Sequence, residues 1–390
     1  MQSVAPASGD HNPNSHTEEE ILSELRGRFG TRHFSFRYDL LDSTNEIVDE
    51  LAGSLPTGAA SVVECKIDQN WFADIKRKAS FTILDDGRIN YLSDRIRPWV
   101  RLHIPPYGAL DYVEWPQGVF LLSSPKRRAE RSGRVVREVD GFDQTQRLLD
   151  DKIDFRLHYN AGANAVFYAT DTLTDLGLLP RAVADTAQLP TAREWEPGTP
   201  YLKIVNELLG IANYQSLSFD ENGAAVVEPY VSPQERSPEY VYADDEDGLI
   251  IPQVDQMMDL FDIANKWTLV VSEPDRDELI ASYTNNDPGS PTSTVNRGRT
   301  IVDFRKEQDA ADLTTLQAKA ARLAFEASQV YEVIEFDTAL MPIHSGNDVL
   351  HIRYAPLAID DKYSETSWSM QLKAGVPMQH RVRRVVNVSE

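Results

Sequence analysis

The run Asp244-Asp245-Glu246-Asp247-Gly248 has the oxygen donors for a calcium ion, but its spacing is wrong for one. A calcium loop of the helix-loop-helix type sets ligands at alternate positions, glycine at the sixth and a bidentate carboxylate at the twelfth. With Gly248 sixth, the first position is Ala243 and the twelfth Val254, which offer no side-chain ligand. The run therefore reads as a solvated or interdomain acidic loop. The 8 histidines are scattered, with no His-Glu-x-x-His pattern, so a metalloprotease site lacks its ligands. A phosphate-cradling glycine loop, a dinucleotide fingerprint and a Gly-x-Ser-x-Gly nucleophile turn are also missing. The single cysteine, Cys65, lies in the strand-like run Ser61–Ile67, where a buried, inert thiol is expected. Alone, it forms neither an intramolecular disulfide nor a thiolate metal cluster. No catalytic, cofactor-binding or metal-ligating residue is predicted, and the chain reads as a non-enzyme.

Two other groups of side chains stand out. Trp71, Trp99, Trp115, Trp195, Trp267 and Trp368 have the chemistry of a sugar-binding platform. Trp99 and Trp368 sit within strand-like alternation and Trp267 precedes a Leu-Val-Val run, so packing in a core or subunit interface is expected. Lys126, Arg127, Arg128, Arg131 and Arg134 form a basic loop in a chain of 39 Lys+Arg against 61 Asp+Glu, net −22. That loop is either a solvated hairpin tip or a contact with an acidic neighbouring subunit, which makes Lys126, Arg127, Arg128 and Arg131 candidate partner-interface residues. The acidic excess argues against phosphate binding over the whole surface, so free nucleic acid is not an expected ligand.

The elements that would position these residues follow from length and periodicity. A chain of 390 residues, 41% hydrophobic, predicts two to three domains with real cores. It shows no basic-then-apolar leader and no run of 18 apolar residues, so a soluble chain made in the cytoplasm is expected. Residues 1–32 read as a flexible polar arm (1–16) followed by a short helix, opened by a Thr17–Glu20 capping box. Residues 33–150 alternate in short strands, among them Ala79–Leu84, Trp99–Ile104 and Val135–Val139, with a turn at Asp86-Gly87; this predicts a small barrel or sandwich. Residues 151–245 are mixed α/β, with a helix over Tyr201–Leu209 and a hairpin turning on Asn222-Gly223. In 246–390 a helix near 312–328, capped by Asp312, carries Leu313, Leu316, Ala320, Leu323 and Ala327 as one stripe. Strands return over Tyr331–Phe336, Val349–Tyr354, Ser367–Leu372 and Val382–Val388 as a second β-rich unit. The expected fold class is mainly β with α/β insertions, two small β-barrel-like units being joined by mixed α/β segments.

The order of several segments is familiar. Asn70–Ile83 leads to Asp94–Pro98, then to Trp115-Pro116-Gln117-Gly118-Val119-Phe120-Leu121 and Val139–Asp143. Later come Asn265–Val271, Asp287–Ser293, the helix near 312–328 and His344–Leu350. This succession resembles tail-tip or baseplate hub proteins of long-tailed bacteriophages, including minor tail proteins of actinobacterial siphophages, over 33–150 and 245–390. No enzymatic residue is carried over by it.

The resemblance implies a virion structural protein at the tail tip, a homotrimer whose two barrels per chain make a ring of six. Such a ring would dock on the distal tail protein ring or the tail tube protein, meet the C-terminus of the tape-measure protein and carry further tail-tip or fibre proteins. It would also surround a channel for DNA during ejection. An acidic wall repels phosphate over a screening length of about 8–10 Å, so DNA would pass without specific binding. No cofactor is implied. The alternatives are a virion adhesion or carbohydrate-binding module using exposed tryptophans and, behind it, a cell-wall hydrolase using a carboxylate pair.

Overall fold

The computed structural model describes residues 1–6, 16–27, 31–52, 61–108, 110–131, 133–189, 191–231, 233, 235–245, 248–258, 261–271, 278–288, 290, 292–307, 313, 316–317, 320–321, 323–324 and 331–385. The first part holds α1 (Glu18–Leu25), β1 (Phe34–Leu41), β2 (Ile47–Ala52), β3 (Val62–Asn70), β4 (Arg77–Leu84), β5 (Arg95–His103), β6 (Tyr112–Pro116), β7 (Phe120–Leu122), β8 (Lys126–Ala129) and β9 (Val135–Phe142). The middle holds α2 (Thr145–Asp150), β10 (Leu157–Tyr159), α3 (Ala165–Asp175), β11 (Pro180–Ala182), β12 (Arg193–Trp195), α4 (Tyr201–Ile211), β13 (Ser218–Phe219) and β14 (Ala225–Val227). The last part holds β15 (Tyr240–Ala243), β16 (Ile250–Met258), β17 (Lys266–Val271), β18 (Leu279–Thr284), α5 (Thr294–Arg297), β19 (Val302–Glu307), β20 (Tyr331–Thr338), β21 (Val349–Tyr354), β22 (Ile359–Gln371) and β23 (Met378–Val385).

The fold is mainly β, as its alternating sequence predicts. In β3 and β4 every second residue turns inward, so Cys65, Ile67, Ala79, Phe81 and Ile83 are buried while Lys66, Lys78 and Ser80 face out. Burial pushes the Cys65 thiol well above its ordinary range, which agrees with an inert thiol. The two β-rich stretches are joined differently from the expectation of separate units linked by mixed segments. They share one 15-stranded sheet ordered β16-β20-β23-β22-β3-β4-β9-β7-β5-β1-β2, with β15, β21, β6 and β8 off that path. The path stays open at β2 and β16, and no closed barrel forms among the described residues. The joint is antiparallel pairing of Ser367–Gln371 with Asn70–Lys66. It exists because β22 is 13 residues long: one stretch pairs β21, the end pairs β3, and β23 runs along the opposite edge. A single core results, with Phe81, Trp115 and Phe120 in the same cluster as Phe336, Met370 and Val382.

The middle segment has its own core. Leu202, Val205, Leu208 and Leu209 are buried on α4 at the expected helical spacing, against α3 and α2. The hairpin forms around Gly223, whose φ of +84° only glycine adopts easily, and a Cβ there would stand 2.9 Å from Val119 of the body. Leu148 of α2 belongs to this core, whereas β15 pairs β21 in the large sheet, so the mixed unit sits inside the expected limits at the C-terminal end and beyond them at the other. A further three-stranded sheet, β18-β17-β19, packs Leu269, Val271 and Ala281 against Leu316 and Ala320. Leu323 lies against that cluster, but Leu313 is 42% exposed, so the buried stripe starts one turn later than expected. Asp312 and Ala327 lie outside the described residues.

The capping box forms as expected: Glu20 N donates to Thr17 Oγ1 (3.2 Å) and Thr17 N donates to Glu20 Oε2 (2.8 Å). The arm expected ahead of it is replaced, over residues 1–6, by a segment seated on the body of the same chain. Gln2 N donates to Ile343 O (2.7 Å), Gln2 Nε2 to Pro116 O (2.9 Å), and Trp115 Nε1 to Ser3 O (2.9 Å). Composition alone misses this because the segment is held by specific hydrogen bonds to the body together with packing of its few apolar side chains, Met1, Val4 and Ala5, on the main core.

Candidate functional site

Three of the five basic residues are on a strand, and Arg131 and Arg134 lie in the connection after it. Lys126, Arg127 and Arg128 lie on β8, which pairs β9 in the register Lys126↔Glu138, Arg127↔Arg137 and Arg128↔Val136, and all of β8 is exposed. A run of long cations shows no alternation of polarity, so the sequence hid the strand. Arg127 Nε donates to Asp85 (2.7 Å) and Arg128 Nε reaches Glu138 (3.1 Å), with Lys126 3.6 Å from Glu138. Arg131 is exposed in the turn that follows. The structure thus brings the candidate interface residues together on the exposed β8–β9 hairpin of the large sheet.

A second cluster was not legible in the sequence. Tyr242 on β15, Thr338 on β20, Glu365 on β22 and His380 on β23 meet His344 and Asp348 from the segment before β21, all of them buried. His344 Nδ1 lies 2.7 Å from Glu365 Oε2 and 3.1 Å from Asp348 Oδ2, while its Nε2 is 2.6 Å from the Tyr242 hydroxyl. His380 Nδ1 lies 2.6 Å from Glu365 Oε1, and its Nε2 2.7 Å from Thr338 Oγ1. The Met1 amine donates to Asp348 Oδ1 (2.7 Å) and Glu239 Oε2 (3.0 Å).

One assignment of protons satisfies the ring of side chains. Doubly protonated His344 donates to Glu365 and to Tyr242, while His380 donates Nδ1–H to Glu365 and accepts at Nε2 from Thr338. The charges of Glu365 and Asp348 then balance those of His344 and the Met1 amine. Burial alone would push His344 down, but the charge of Glu365 and hydrogen bonds to Asp348 and Glu365 raise it to about 9. Burial holds His380 below its ordinary value in spite of Glu365. Burial works against ionised Glu365 as well, yet His344 and His380 hold it below the usual carboxylate range.

His344, Glu365 and His380 are also the donor types of a metal site. Ligands bound at about 2.0–2.2 Å around one ion stand about 3 Å or more apart, whereas these contacts are 2.6–2.7 Å. Shared protons fit that spacing and an ion does not. The histidines converge because β23 pairs β22 and the segment between β20 and β21 lies against them, which no local pattern announces.

The remaining candidates fall to the packing reading. Trp99, Trp115, Trp195, Trp267 and Trp368 are buried, and Trp71 is half-buried beneath Lys76, 5.0 Å from its ring, so no exposed tryptophan platform exists. Asp244 Oδ2 accepts from Ala355 N (2.9 Å), while Glu246 and Asp247 lie outside the described residues. A cleft of about 640 Å³ separates the middle unit from the body, bridged by Arg77, which donates to Glu221 (2.8 Å) and Gln69 (2.9 Å).

An open, mainly β body carrying two smaller α/β units defines the class of protein. No family model matches the sequence, and no curated protein does. The fold is that of phage tail proteins. The tail protein from Neisseria meningitidis MC58 superposes with a TM-score of 0.63 at 13% identity, covering 90% of this chain and 97% of that one. The 43 kDa tail protein of prophage MuSo2 from Shewanella oneidensis gives 0.60 at 11%, covering 90% and 98%. Prophage tail protein gp18 from Listeria monocytogenes EGD-e gives 0.51 at 11%, covering 91% and 95%.

Proposed function

We propose that this chain is a structural tail-tip hub of a long-tailed phage. Three copies form a ring that closes the tail tube, seats on the distal tail protein ring or tube protein, and meets the tape-measure C-terminus and further tail-tip or fibre proteins. At ejection the ring gives DNA its channel. The observation that carries the reading is the extent of the structural match: nearly the whole chain overlays nearly the whole of three phage tail proteins. The net charge of −22 suits a conduit, because a carboxylate-rich wall repels phosphate. Burial of the tryptophans argues against the adhesion reading, which needs aromatic faces in solvent.

The mass of the purified assembly tests the proposal. A particle of three times the 43.9 kDa chain is expected, located at the tail tip by antibody labelling of virions. A chain that stays monomeric at all concentrations, or labels elsewhere on the tail, would rule the hub out.

A further inference from the structure

Strand β2 ends the large sheet, pairing β1 on one side with no strand on the other among the described residues. Ile47 and Val48 on it are 53% and 57% exposed, and Asp49 and Glu50 are exposed beside them. An open edge carrying bare β-branched residues, with no lysine or proline to guard it, is a template for another strand. The stretch 42–50 contains Asp42, Glu46, Asp49 and Glu50 and no lysine or arginine, a formal charge of −4.

Strand β8 is another open edge, pairing only β9 among the described residues. The hairpin 126–138 has six lysines and arginines against Glu130 and Glu138, a formal charge of +4 in a chain of −22. Within one copy these two edges are not paired with each other: Asp49 is held by Arg88, which also binds Asp86, and Arg127 is held by Asp85. Two of their present ion pairs, Arg128–Glu138 and Asp49–Arg88, are open to solvent at both partners, and such pairs are weak enough to exchange; Arg127 instead holds Asp85, whose side chain is largely buried.

The geometry points to β8 of one copy docking along β2 of the next, Lys126, Arg127 and Arg128 against Asp49 and Glu50, with Ile47 and Val48 covered. The partner is a second copy of this chain, so the inference rests on the multi-copy hub. Two different edges meeting make a head-to-tail contact, which closes into a ring when the rotation allows. Backbone pairing supplies contact, and opposite charge selects the partner edge and speeds encounter.

The test is a charge exchange in the full chain, read by mass photometry at low and high salt. K126E/R127E/R128E and D49K/E50K should each weaken self-association about tenfold or more at low salt, and a chain carrying all five reversals, in which every contact is again of opposite charge, should restore it to within about threefold of wild type. In parallel, R128C copies mixed with D49C copies should form an interchain disulfide, Cys65 being buried. This second readout decides if a reversal variant fails to fold. Wild-type assembly with indifferent reversals and no cross-link would overturn the contact and leave the ring standing. A wild-type chain that is always monomeric would remove both.

Discussion

At the residue scale the buried His344 ring makes stability depend on pH in a direction that can be worked out. His344 has a raised value in the folded chain, so its contribution is full below its ordinary 6.5 and is lost as pH rises through about 9. Wild type should therefore lose urea resistance steadily between those limits, and His344→Gln, which cannot carry the proton, should lack that slope. Equal slopes for the two chains over this window would mean that the ring holds no shared charge. Glu365 is shifted the opposite way and contributes at neutral pH, its share disappearing as pH falls through its lowered value. Glu365→Gln leaves protonated His344 short of a countercharge in a dry site, so it should cost about 3–5 kcal/mol at pH 7, measured by urea unfolding. A cost below about 1 kcal/mol would show that the ring is not ionised.

The strands show what local pattern can and cannot tell. Alternation at Ala79–Leu84, the capping box at Thr17, the α4 stripe and the Asn222-Gly223 hairpin were readable because each depends on neighbours a few residues away. The β22–β3 joint was not, because period two fixes which face is buried and says nothing about which strand lies alongside. For the same reason the sequence yielded the side chains of the candidate surface, Lys126 to Arg131, but not their strand, and none of the His344 ring. The joint can be tested where it is narrowest. Ser369 faces Asp68 of β3 on one side and Gln379 of β23 on the other, so Ser369→Pro strikes an interior strand of the shared sheet. It should cost about 3 kcal/mol or more, seen as a lower urea midpoint, whereas a change within about 0.5 kcal/mol would deny the joint its role.

For the whole molecule, separate cores predict separable folding. The cluster from Leu148 to Val227 closes on itself, so residues 144–231 expressed alone should give a mixed α/β circular dichroism spectrum and a cooperative melt; a random-coil spectrum would show that the unit depends on the body. The large sheet cannot be divided in this way, and that has a consequence for how the protein is made. Asn70 must wait for Ser367, and at about 5–20 residues per second a ribosome takes roughly 15–60 s to supply the intervening chain of roughly 300 residues. Throughout that interval β3 is a finished strand with one edge bare, in a cell making many copies of the same nascent chain. The middle unit, completed meanwhile, occupies the growing chain without closing that edge. Yield should thus be governed by translation speed and chaperone supply more than by the stability of the finished fold.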